Sequence, residues 1–261
     1  MISNFTIGAD PECFIINTKT GTVVSSIGMI PGEKGKPYRD SSMPKGFGLE
    51  TDNVLAEFNI PPCKTKIEFI TAINFMKGYI REFVQNINPD YDIKCSASEY
   101  VPYDQLVGDQ AFAIGCEPDF NAYTEAPNPR PEGFKDNLRS AGFHIHLGVP
   151  DGMWADDVVK FTKYFDQYVV LPSILVDTDT RRRSLYGKAG CFRMPSYGLE
   201  VRSLSSFMMS SNELLSQVWD NTMLAIHHFN NNTPLIDPDV IQDVINNNRV
   251  DIAKQILKCA E

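Results

Sequence analysis

The chain has no C-x-x-C pair. Its six cysteines, at 13, 63, 95, 116, 191 and 259, are scattered through 261 residues. That spacing suits neither a zinc site nor a disulfide framework, and it fits a reducing cytosol. No G-x-x-x-x-G-K-[ST] loop is present, which excludes a P-loop nucleotide site. No uninterrupted apolar run is long enough to cross a bilayer. The opening MISNFTIGAD carries neither a charged n-region nor a long apolar stretch, so no signal peptide is expected. Positive charge is short as well. With 24 Lys and Arg against 33 Asp and Glu the net charge is −9, which argues against general nucleic-acid binding. A cytoplasmic protein without membrane or nucleic-acid partners is expected; its oligomeric state is left open.

A hydrophobic share of 43% and a charged share of 22% are ordinary for a globular chain whose core needs no staples. No boundary-like linker interrupts it, so one domain over 1–261 is expected. Residues 5–17 and 21–26 read as a hairpin. Residues 28–48, rich in Gly, Pro, Lys and Ser, read as a long loop, either an exposed connection or a mobile lid. Residues 54–60 and 92–98, a short piece within 112–123, and residues 142–149 and 198–204 read as strands. Helices are expected after the capping box Thr65-Lys66-Ile67-Glu68, over 156–173, after a second box at 210–213, at Asp237-Pro238, and over 250–258. Regular βαβ alternation is absent. The fold class expected is therefore α+β, with a mainly antiparallel sheet.

Polar pairs interrupt four of these segments. Strand side chains alternate between faces. In Tyr197-Gly198-Leu199-Glu200-Val201-Arg202, Glu200 and Arg202 therefore share one face, and Gly187, Lys188, Gly190 and Arg193 lie upstream. This is either a surface strand with a weak ion pair or the edge of a phosphate and metal site. Asp10 and Glu12 share a face around Pro11, either as an exposed acidic strand or as a clamp for a hard divalent cation. Pro11, lacking an amide hydrogen, predicts an edge, a bulge or a strand start. Glu50, Asp52 and Glu57 surround the second strand, where a lone Glu is ordinarily solvated. His144 and His146 point the same way from an otherwise apolar strand, and imidazole can ligate a metal or donate to a phosphate. His227 and His228 sit mid-helix on different faces and read as structural. The run Arg181-Arg182-Arg183 is either a phosphate holder or a solvated charge run.

Taken together, D-P-E-x-F, A-E-F-N-x-P-P, G-x-H-I-H-x-G and Y-G-x-E-x-R, in that order, resemble the glutamine synthetase and glutamate–cysteine ligase superfamily. The similarity is greatest to the phage-type carboxylate–amine ligases, or type 2 amidoligases. Gly115-Cys116-Glu117-Pro118-Asp119 and the YGKAG stretch add to it, and it runs from Gly8 to about Phe207. The resemblance implies a curved antiparallel sheet with helices on the other face, binding ATP and Mg2+ or Mn2+ on its concave side. It implies metal ligation by Asp10, Glu12, Glu57, His144 and Glu200, and catalytic roles for Arg202, Glu57 and Glu200. His146, Lys188, Arg193 and Arg183 are implied as nucleotide contacts, and Glu117 and Asp119 as substrate contacts.

The reaction so implied joins a small-molecule or peptide carboxylate to an amine through an acyl phosphate, releasing ADP and phosphate. Two other readings of the same residues are a non-catalytic nucleotide- or metal-binding module and a metal-dependent amide hydrolase.

Overall fold

The computed structural model describes residues 1–113, 119–129 and 136–260. The chain begins with β1 (Thr6–Asn17), β2 (Thr22–Val24), β3 (Gly48–Asp52) and β4 (Leu55–Asn59), followed by helix α1 (Lys66–Ile87). Next come β5 (Tyr91–Lys94), β6 (Ser98–Tyr100), β7 (Phe120–Asn121), β8 (Ala126–Pro127), β9 (Leu138–Ser140) and β10 (Phe143–Gly148). Helices α2 (Ala155–Phe165), α3 (Leu171–Ser173) and α4 (Arg181–Leu185) precede β11 (Cys191–Arg193) and β12 (Gly198–Val201). Three helices end the chain: α5 (Asn212–Asn230), α6 (Pro238–Asn246) and α7 (Val250–Ala260). No described helix is long and apolar enough to cross a membrane.

The architecture is α+β. Its main sheet is open, and the named strands pair antiparallel in the order β3-β4-β1-β10-β12-β11-β7-β8, with β2 and β5 also on β1. β1 is the long central member. Thr6 to Pro11 pair with β10, Glu12 and Cys13 with β4, and its last residues with β2 and β5. Pro11 thus sits in mid-strand, neither at an edge nor at a start. It falls where β10 pairing ends and β4 pairing begins, so its missing amide hydrogen interrupts no continuous ladder.

One sheet face is apolar and packs on helices. Ile7, Ala9 and Cys13 of β1, Phe143, Ile145 and Leu147 of β10, and Leu199 and Val201 of β12 are buried there. Helix α1 starts as its sequence dictates: Thr65 Oγ1 accepts from the Glu68 amide, and Glu68 reaches back to the Thr65 amide. Its buried stripe of Phe69, Ile73, Met76, Ile80 and Val84 lies on the sheet, Phe69 stacking on Phe143 and meeting Trp219 of α5. The opposite face carries the polar residues. At one end it too is closed, by a small second core in which Phe14 and Leu55 meet Val101, Leu106 and Ala111.

Several elements differ from expectation. Residues 48–52 form β3, joined to β4 by a tight turn with Asn53 at φ 56°. The segment before it is laced to that strand: Tyr38 and Leu49 exchange both backbone hydrogen bonds, and the Thr51 amide donates to Gly32. The helix expected over 156–173 is broken by a π-helical turn at Asp166–Val170. Ser211, one residue later than expected, caps α5 by accepting from the Leu214 amide. The strand expected to 204 ends at Val201.

Candidate active site

The polar face of the sheet gathers residues from six strands. β1 registers Asp10 opposite His144 and Gly8 opposite His146; β12 registers Glu200 opposite His146, and β11 registers Arg193 opposite Glu200. On the other side of β1, Glu12 stands opposite Glu57, which stands opposite Glu50. Two clusters result, one on each flank of β1.

In the first, Asp10 Oδ1 is 2.9 Å from His146 Nε2 and 3.1 Å from His144 Nδ1, and His144 Nδ1 is 3.8 Å from Glu200 Oε1. These close approaches lack hydrogen-bond alignment. Asp10 Oδ1, His144 Nδ1 and His146 Nε2 are buried with no hydrogen-bond partner among the described residues. Buried polar atoms are ordinarily satisfied. Three unpartnered polar atoms gathered around Asp10 Oδ1 fit a nearby cation, and oxygen with imidazole suits magnesium or manganese. Asp10, His146 and Glu200 bring their ligating atoms within 4.8 Å of one another. His144 lies against Gly142, where any Cβ would stand 2.5 Å from its Nε2, so the glycine leaves room for the ring. His146 stacks on Tyr197, whose hydroxyl is 2.8 Å from Nδ1 and fixes the imidazole so that Nε2 faces Asp10.

Glu200 is the electrostatic hub. Arg193 grips both its oxygens, at 2.9 and 2.6 Å, and Arg202 donates to Oε1. Arg202, almost completely buried, also donates to the Tyr186 hydroxyl, which in turn donates to Asp119 Oδ2 at 2.8 Å. Burial and Asp10 work against charge on Glu200, but Arg202, His144 and Arg193 outweigh them and hold it below the usual carboxylate range. At Asp10 burial is likewise outweighed by His146 and His144, and the carboxyl stays well below its ordinary value. Burial pulls His146 down, and Asp10 more than compensates.

The second cluster is Glu12, Asp52 and Glu57, all buried, with ligating atoms again within 4.8 Å. Glu12 Oε2 accepts from the Gly142 amide at 2.5 Å, and Lys34 Nζ lies 2.6 Å from Asp52 Oδ2. Glu57 Oε2 is buried without a hydrogen-bond partner among the described residues. Burial first, then the charges of Asp10, Asp52 and Glu12, push Glu57 well above the ordinary value. Like charges directly opposite on paired strands are destabilising, so this all-oxygen set fits a divalent cation as well.

The remaining expected residues fall as follows. A cleft of about 430 Å³ opens beside the first cluster, lined by Asp10, His146, Arg193, Tyr197, Glu200 and the half-exposed Phe120, among others. Lys188 is exposed, its loop carbonyl accepting from Ser203 Oγ, and its ammonium pairs with none of the cluster carboxylates among the described residues. Asp119 is buried under Tyr186 instead of facing an open pocket. Glu117 lies outside the described residues.

Arg183 lies apart from the other expected residues. It points to Asn248 at 3.5 Å and has Asp177 and Asp166 as charged neighbours, away from both clusters. Helical residues one apart do not share a face. It is Arg182 that reaches beneath the site, donating to the carbonyls of Ala141, Ser203 and Arg202.

Sequence reasoning noted Asp52 beside Glu57 but gave no site role to it, to Tyr186 or to Tyr197. Asp52 had a signal, since Asn53 between E-T-D and L-A-E marks a two-residue hairpin turn that puts Asp52 beside Glu57's strand. The tyrosines had none.

Two acidic clusters on one face of an antiparallel sheet, with two guanidiniums bonded to Glu200 on that face, form the candidate site. Residues 137–257 match the model of the family described as phage phiEco32-like COOH.NH2 ligase-type 2. Over that stretch, which is under half of the chain, the sequence is similar to a family of carboxylate–amine ligases. The match takes in His144, His146, Lys188, Arg193, Glu200 and Arg202, while Asp10, Glu12 and Glu57 lie before it. No curated protein matches the chain.

Proposed function

We propose that the protein is an ATP- and magnesium-dependent ligase that joins a carboxylate to an amine through an acyl phosphate. The observation that supports this reading is the pair of acidic clusters flanking β1, with Arg193 and Arg202 bonded to Glu200 at one side. Such an arrangement suits transfer of a terminal phosphoryl group, where positioning and charge neutralisation do most of the work.

Asp10, His146 and Glu200 would hold one metal, with His144 beside them, and Glu12, Asp52 and Glu57 a second. Bound there, the metals supply charge neutralisation on the β- and γ-phosphate oxygens. Arg202 offers a planar fork to the phosphoryl group, and its orientation is set by Tyr186 and Asp119 behind it. Arg193, less buried and facing the cleft, is the second guanidinium for the same charge, and Lys188 a third cation on the adjoining loop. The substrate carboxylate attacks the γ-phosphorus, the β–γ bridging bond breaks, and ADP leaves. The amine then attacks the acyl carbon, loses a proton to a general base, and phosphate departs as the amide forms. Glu117 remains a candidate contact for the amine.

The test is incubation of the protein with ATP, Mg2+ and a metabolite pool, followed by mass spectrometry. The expected products are ADP, orthophosphate and a condensed species lighter than its parents by one water. With hydroxylamine in place of the amine, a hydroxamate is expected. AMP and pyrophosphate as stoichiometric products would overturn the mechanism and the roles of Glu200 and Arg202 in it.

A further inference from the structure

We propose that the Glu12, Asp52 and Glu57 cluster is an exchangeable cation site: the Lys34 ammonium fills it in the metal-free protein, and a divalent cation displaces the lysine. This rests on the metal reading above and goes beyond it by giving that site a built-in competitor.

Three observations carry it. Glu12 and Glu57 stand directly opposite on paired strands, both more than nine-tenths buried. Two such carboxylates repel in a medium of low polarity, so the fold needs positive charge there. Buried Arg182 acts on Glu12 from beneath, and on the open side the charge is that of Lys34, with Nζ 2.6 Å from Asp52 Oδ2. It leaves Glu57 Oε2 without a hydrogen-bond partner among the described residues, so one ammonium does not satisfy three carboxylates.

The attachment of Lys34 is also suited to release. Lys34 and Gly35 are the two central residues of a tight turn between Glu33 and Lys36, with Gly35 at φ 76°. The turn is held by its own backbone bonds and by the Gly35 amide donating to Glu50 Oε2 at 3.0 Å. None of these bonds involves the lysine side chain. That side chain is 41% exposed, so it can leave for water without uncovering core. A divalent cation brings twice the charge and accepts several oxygens at once, where an ammonium offers three directed donors. The contrast with the first cluster is direct: there Glu200 is gripped by two arginines on strand β11 and just beyond β12, and no loop residue has to move.

The experiment uses the full chain and Mn2+ alone, without nucleotide. Mn2+ binding is titrated by calorimetry for the wild type, Lys34→Met and Lys36→Met. Lys34→Met keeps the aliphatic stem and removes the charge, and is expected to tighten one Mn2+ site by about tenfold; Lys36→Met, on the same turn, should match the wild type. In parallel, wild-type lysines are acetylated with acetic anhydride and read by mass spectrometry. Modification of Lys34 should rise several-fold on adding Mn2+, while that of Lys36 stays level. Equal Mn2+ affinity in wild type and Lys34→Met, or Lys34 labelling indifferent to bound Mn2+, would overturn the exchange and leave the metal reading standing. Failure of Mn2+ to bind either protein would overturn both.

Discussion

The two clusters lie on one face of one sheet, a few ångströms to either side of β1, yet their charge is balanced in opposite ways. Around Asp10 and Glu200 the compensating groups are His144, His146, Arg193 and Arg202, all on or beside the strands themselves. Their carboxylates are held ionised by these neighbours. Around Glu12 and Glu57 no described strand residue supplies a cation: Arg182 of α4 lies beneath, a loop lysine reaches in, and Glu57 is pushed toward its neutral form. The first cluster is therefore assembled by the fold. The second is a concentration of negative charge that the fold tolerates, the sort of locally unfavourable arrangement found at functional sites.

The strongest way to break this contrast is to remove the proposed ligands. Glu12→Ala, Glu57→Ala and Glu200→Ala are each expected to cost at least about three orders of magnitude in ADP formation, the upper scale of losing one transition-state stabilising group. A variant that keeps near-normal turnover removes that residue from the metal set.

Stability should separate what activity does not. Glu200→Gln leaves Arg193 and Arg202 facing an amide in a buried setting, and the metal-free protein should lose about 3 kcal/mol. Glu57→Gln relieves like-charge crowding opposite Glu12 and should stabilise the metal-free protein by about 1 kcal/mol. Chemical denaturation in the presence of chelator reads both. If the two substitutions shift stability in the same direction, the clusters do not differ as described.

Arg202→Lys keeps the charge and gives up the fork toward Glu200 and Tyr186. Turnover is expected to fall by about two orders of magnitude. An unchanged rate would mean that Tyr186 and Asp119 hold Arg202 for architecture alone.

A smaller effect sharpens the comparison from outside both clusters. Asp166, fully buried in the π-helical turn, accepts from the Gly190 amide at 2.6 Å and the Tyr123 hydroxyl at 3.0 Å. Burial pushes its carboxyl up to about 7. Because the folded state then holds a proton that the unfolded state has released, stability falls as pH rises from about 4 and levels off above about 7. Asp166→Asn removes that charging step. It should raise the unfolding temperature at pH 8 and shrink toward no effect near pH 4, with a gain on the order of 4 kcal/mol at most. A gain independent of pH would place the cause in packing instead.

Much of this was legible in the chain. Alternation alone put Asp10 with Glu12, His144 with His146, and Glu200 with Arg202 on common faces, because a strand repeats every two residues. The capping box at Thr65 fixed the start of α1, and antiparallel α+β followed from the missing βαβ alternation. What escaped did so for physical reasons. The π-helical turn has no periodic signature, since it is one extra residue per turn in an otherwise helical run. Arg183 and Arg182 are indistinguishable in a three-arginine run until a helix assigns each its own direction. Nothing in the spacing of Tyr186 and Tyr197 announces a hydroxyl between Arg202 and Asp119 or a ring stacked on His146.

By itself, then, the sequence determined which side chains could act together within each strand, since that depends on local geometry that any extended segment shares. The tertiary structure decided which strands became neighbours: β1 with β10 across more than a hundred residues, and β10 with β12 beyond another helical segment. Non-local pairing is chosen by the collective burial of Ile7, Ile145, Leu199 and their partners on the apolar face, an energy spread over the whole core. The polar face is brought together as a consequence. So the grip of Arg193 on Glu200, the unpartnered oxygen of Glu57 and the placement of Lys34 against Asp52 exist only once that core has closed.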